Sequence, residues 1–191
     1  MSTPYTRKLL TLALPLALVA ISAPRANAQD LDAKSAARLK AHYMADLDST
    51  HAKIMALANA IPEDKYGWRP APGVRSVSEV LMHLVGEWDY YAPMSVAGKP
   101  PADFGSPREA LPALEKITGK AAILAQLEKS WAYCHAQLVA SDASAMTGSY
   151  KPWGVTLEEA AFGMTGDQHE HLGQLIAYAR SVGVKPPWSA K

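Results

Sequence analysis

The chain has 191 residues, is 49% hydrophobic and 19% charged, and carries a formal charge of +1. That bounds it to one globular domain large enough for a proper core. No charge block and no basic stripe interleaved with aromatics is present, which argues against nucleic acid as a partner.

The first residues read as an address rather than as part of the fold. In "YTRKLLTLALPLALVAISAPRANAQD" a basic start (Arg7, Lys8) leads into an apolar run from Leu9 to Ile21, followed by Ala26-Asn27-Ala28, an A-x-A cleavage signal. The run is short for a membrane span and contains Pro15. We therefore expect a signal peptide over 1–28, cleavage after Ala28, and a periplasmic or secreted domain over 29–191 without a membrane span. Cleavage removes Arg7, Lys8 and Arg25 and no acids, leaving 16 basic against 18 acidic residues. A lone cysteine, Cys134, can form no internal disulfide in an oxidising compartment. Its helical surroundings, "KSWAYCHAQL", mark it as a small buried hydrophobe.

The mature chain alternates amphipathic runs with Pro/Gly loops. In the first, expected over 33–61, Leu39, Tyr43, Leu47, Ile54, Leu57 and Ile61 recur at helical steps, and Pro62 stops the run. After the loop "PEDKYGWRPAPGVR", Ser76 and Glu79 have capping-box spacing and open a helix over 76–95 bearing Val80, Leu84, Trp88 and Tyr91. A linker follows that holds a short helix from Ser106-Pro107, with Glu109 placed for capping. The third long helix is expected over 119–140, with Ile123, Leu127, Trp131 and Leu138 on its apolar side. The fourth, over 156–182, begins at a second capping box, Thr156 and Glu159, and ends at Gly183. These elements predict an all-α fold, one antiparallel four-helix bundle, with inter-helix loops longer than a minimal up-down-up-down bundle needs.

The stretch "GDQHEHLGQL", Gly166 to Leu175, places two of the chain's six histidines among acids inside an apolar run. Residues three or four apart share a helix face. Asp167 and His171 therefore join the stripe Ala160, Met164, Leu175 and Tyr178, which should face the core, whereas His169 lies nearly opposite. An acid and a histidine on a core-facing stripe are costly unless paired or bound to a metal. A further ligand must come from another helix. His83, beside Val80 and Leu84, is the best candidate, and Glu87 on the same stripe is a partner of the ligands or an extra one. Two imidazoles and a carboxylate suit zinc, nickel or ferrous iron. His51 reads as a hydrogen-bonded core residue, and His42 and His135 as structural or solvent-facing.

The order "RPAPGVRSVSEVLMHLVG" then "HEHLGQLIAYARSVGVKPP" resembles the DinB-like family of four-helix metalloproteins, and the resemblance covers nearly the whole mature chain. It implies a divalent metal held by one histidine of the second helix and an i, i+4 pair on the last. By position these are His83, Asp167 and His171, with Asp167 standing where the family often has histidine. Characterised members include thiol-dependent transferases and isomerases, whose thiols belong to the cytoplasm, whereas this chain carries an export signal. Two readings follow. One is a metal-dependent hydrolase or thiol-dependent transferase acting on a small molecule, with Glu87 or Glu170 as proton carrier and a cleft lined by residues such as Trp68, Trp88, Tyr91 or Trp153. The other is a non-catalytic metal-binding or stress-associated module. A homodimer is the candidate assembly.

Overall fold

The structure, a computed structural model, describes residues 31–189. The expected signal peptide lies outside them. The described chain is helical apart from one two-stranded hairpin. No helix among these residues is long and apolar enough to cross a membrane.

Helix α1 (Ala33–Ala60) begins where the Asp32 carboxylate accepts from the Ser35 amide at 2.7 Å, and Pro62 follows its end. Tyr43, Leu47, Ile54 and Leu57 are buried at the predicted steps. Helix α2 (Val77–Gly86) starts at a complete capping box, with Ser76 and Glu79 each satisfying the other's amide. It is apolar on almost every side, and Val80, Leu81, Met82, Leu84 and Val85 have no exposed surface.

The sequence reading takes this helix as regular to residue 95, but it widens into a π-helical turn over Glu87–Tyr91 before resuming over Ala92–Met94. Such turns add a residue to the helical path and recur at functional sites. Helix α3 (Pro107–Leu114) is the short helix of the linker. It rests on α2 at Gly86, where a Cβ would run into Leu111 Cδ2, so only glycine admits this approach without displacing that side chain. Helix α4 spans Lys120–Ala140. Strands β1 (Ser149–Tyr150) and β2 (Val155–Thr156) pair antiparallel, Tyr150 opposite Val155. They deliver Thr156 to the capping box that starts α5 (Leu157–Ser181).

Helices α1 and α2 each pack against both α4 and α5. Two of these pairs run antiparallel and two parallel. Lys40, early in α1, reaches the Val139 and Ser141 carbonyls at the end of α4, and Lys120, opening α4, reaches Asn59 and Ile61, so α1 and α4 are antiparallel. Tyr178 bonds to the Arg75 carbonyl while Gln168 meets Glu87, so α2 and α5 are antiparallel too. By contrast, Leu39 lies by Ala161 and Asp46 by His169, which makes α1 and α5 parallel. Trp88 meets Trp131 and Lys99 meets Gln137, which makes α2 and α4 parallel. The long linker after α2 has the reach to return the chain to the start of α4, which a short hairpin would not.

Cys134 is fully buried, as expected, and burial raises its thiol far above the ordinary range. His51 differs from expectation. Its ring stacks on Trp131 at 4.1 Å and meets Trp88 edge-on at 5.3 Å, yet its buried Nε2 has no hydrogen-bond partner among the described residues. Aromatic contact rather than hydrogen bonding holds this imidazole, and burial pushes its pKa down to about 4. His42 is exposed, and His135 stands 3.5 Å from Asp48 with 42% of its side chain exposed, in keeping with the expectation for both.

Candidate metal centre

Packing of α2 against α5 brings His83 and His171 together. Their rings lie 4.9 Å apart, nearly perpendicular. Between them sits Glu87, the first residue of the π turn and only 3% exposed. Its Oε1 is 3.1 Å from His83 Nε2 and 3.4 Å from His171 Nε2. One donor atom from each of His83, Glu87 and His171 lies within 4.8 Å of the others.

Each group is oriented from behind. His83 Nδ1 faces Glu115 Oε1 at 3.3 Å, and that oxygen is also held by Arg75 Nε at 2.9 Å. His171 Nδ1 faces Gln174 Oε1 at 3.1 Å; the Gln174 amide donates to Tyr178, whose hydroxyl donates to the Arg75 carbonyl. An acceptor behind each Nδ1 holds the rings so that both Nε2 atoms point at Glu87. The second Glu87 oxygen accepts from Gln168 Nε2, and Gln168 Oε1 in turn accepts from Trp88 Nε1 at 2.8 Å. Gln168 and Trp88 are both buried, so this carboxylate is set in place by side chains with little freedom.

A carboxylate this deep would cost several kcal/mol unpaired. Burial raises the Glu87 carboxyl, but hydrogen bonds from His171, His83 and Asp167 overcome that and hold it at about 2. Burial lowers the His171 imidazolium, and the Glu87 carboxylate reverses the balance and raises it to about 8. Asp167 is pushed up to about 7, first by burial and then by its hydrogen bond to Glu87. The arrangement stabilises an anion at Glu87 and positive charge beside it.

The predicted residues fall in different places. His83 and His171 converge. Glu87, considered as a proton carrier or extra ligand, occupies the middle of the cluster. Asp167 lies at the rim, its Oδ1 3.7 Å from His171 Nε2 and its side chain 39% exposed, outside the tight group of three. Glu170 is exposed on α5 and is not among the grouped residues. His169 turns away, as its spacing requires, and meets Asp46 of α1 at 3.0 Å. Of the proposed cleft residues, Trp88 is wholly buried and Trp68 packs edge-on against Tyr178 at 5.2 Å. Tyr91 stacks on Trp153 at 5.8 Å, and Trp153 lies over Gly163, one helical turn before Asp167. These two rings flank the rim.

Two nitrogen donors and a carboxylate oxygen are a donor set for borderline divalent metals. A family model described as the DinB superfamily matches residues 46–175, more than half of the chain and the whole of this cluster. The chain belongs to the DinB superfamily. No curated protein matches it. In this DinB chain the sequence reading missed Gln168, Gln174 and Glu115. Gln174 stands three residues after His171, a spacing that could have flagged it. Glu115 follows the last residue of α3 and leaves no local signal.

Proposed function

We propose that this protein is an exported metal-dependent enzyme acting on a small molecule. Nε2 of His83, Nε2 of His171 and Oε1 of Glu87 hold a divalent metal, zinc, nickel or iron(II), and Asp167 supplies a further ligand from the rim. The observation that carries the reading is the convergence of both Nε2 atoms on one buried carboxylate oxygen while each Nδ1 faces an acceptor. The oxygen–nitrogen separations of 3.1 and 3.4 Å suit adjacent ligands, since a tetrahedral site with bonds of ~2.0 Å has edges of about 3.3 Å.

When bound, such an ion supplies Lewis acidity toward a water or small-molecule thiol, the chemistry of a hydrolase or a thiol-dependent transferase. The protein's own groups do the rest. Glu115 and Gln174 fix the imidazoles, and Gln168 fixes Glu87. Tyr91 and Trp153 offer an aromatic wall beside Asp167 for the substrate body. The chain is delivered to the periplasm or secreted by removal of 1–28, and 29–191 is the working domain.

Equilibrium dialysis of the mature chain against zinc, nickel and iron(II), followed by hydrolase and thiol-transfer assays with and without metal, tests this reading. Metal uptake with metal-dependent turnover is expected. Uptake without turnover across both panels would favour a non-catalytic metal-binding module, and no uptake would overturn the proposal.

A further inference from the structure

Glu87 meets His171 of α5, whereas Asp89, two residues on in the same π turn, lines a separate cavity between that turn, the linker that follows it, α3 and α4. The cavity holds about 300 Å³. A dry protein cavity of about 150 Å³ accommodates benzene, so this one has room for an aromatic ring and a short chain. Its walls include Phe104, Leu114 and Ile117. Asp89 is 7% exposed, and no lysine, arginine or histidine lies within ion-pair distance of it among the described residues. The other charged lining residues are Asp103 and Lys129, which leaves the lining one negative charge in excess.

We infer that this cavity binds a small organic monocation with an apolar body, of the arylalkylamine class. The ammonium meets the Asp89 carboxylate and closes the charge balance, while the ring fills the space against Phe104, Leu114 and Ile117. A buried carboxylate opposite an apolar wall selects a ligand that is charged at one end only. None of the residues lining this cavity belongs to the His83, Glu87 and His171 cluster.

The test is calorimetric titration of the mature chain with 2-phenylethylamine and with its neutral counterpart 2-phenylethanol at pH 7. Saturable equimolar binding of the amine is expected, at least about tenfold tighter than the alcohol, because the alcohol can still donate to the carboxylate but brings no positive charge to balance it. Asp89→Asn should erase that preference. Ala110→Phe places a ring in the cavity and should abolish binding, which keeps the proposal decidable if Asp89→Asn fails to fold. Equal affinity for amine and alcohol, unchanged binding in Ala110→Phe, or no saturable binding at millimolar amine would each overturn it.

Discussion

Gln168 joins Glu87 to Trp88: its amide nitrogen donates to the Glu87 carboxylate and its amide oxygen accepts the Trp88 indole N–H at 2.8 Å. All three side chains are buried, so the Glu87 oxygen aimed at the histidines cannot swing without breaking this chain. Outer partners of this kind typically control metal affinity by about 10- to 100-fold. Gln168→Leu should weaken zinc binding by that factor in competition with a chromophoric chelator, with the helical content kept. An unchanged affinity would mean that Glu87 is positioned by the histidines alone.

His169 is the neighbour that should not matter to the metal. Its ring pairs with Asp46 at the surface, and exposed pairs contribute about 0–1 kcal/mol. His169→Ala should keep its metal and melt within about 2–4 °C of the parent, the shift that about 1 kcal/mol produces in a domain of this size. Loss of metal in this variant would place the site on the other face of α5.

His51 makes stability depend on pH. Its folded-state pKa is about 4, below the unfolded value near 6.5, so the unfolded chain takes up a proton that the folded chain refuses. This contribution is fully present above pH 6.5 and is lost as pH falls from there toward 4. His51→Phe keeps the aromatic stack between Trp88 and Trp131 and removes the titration. Denaturant unfolding across that window should show a shallower acid slope in the variant. An equal slope would assign the acid sensitivity to other groups.

Export predicts a defined terminus. N-terminal sequencing of protein recovered from its native compartment should begin at Gln29. Material in the cytosol still carrying Met1 would contradict the signal peptide reading.

The four long helices were legible because each begins or ends with local chemistry: Asp32 and Pro62 around α1, capping boxes at Ser76 and Thr156, and Gly183, at φ 81°, after α5. The convergence of His83 and His171 was legible because helical periodicity places both on inward stripes. The π turn was not, since "EWDYY" carries no residue that forbids a regular helix. Glu87, four residues after His83, was legible as a partner or extra ligand; that it rather than Asp167 sits between the histidines depends on how α2 and α5 dock. Helix directions were also beyond reach, because a linker of this length permits either a hairpin or a crossover. Glu115 behind His83 depends on α3 docking at Gly86, a tertiary contact with no periodic signature.

The central claim, that His83, Glu87 and His171 together hold a divalent metal, is tested most directly by elemental analysis and chelator-sensitive melting of four variants. The account predicts equimolar metal and a chelator-induced drop in melting temperature in the parent, because an ion bound only by the folded state stabilises it. His83→Ala, Glu87→Ala and His171→Ala should lose the metal and the chelator response, while Asp167→Ala should retain metal with weakened affinity. Full metal retention in Glu87→Ala together with loss in Asp167→Ala would contradict the account and return the third ligand to the rim.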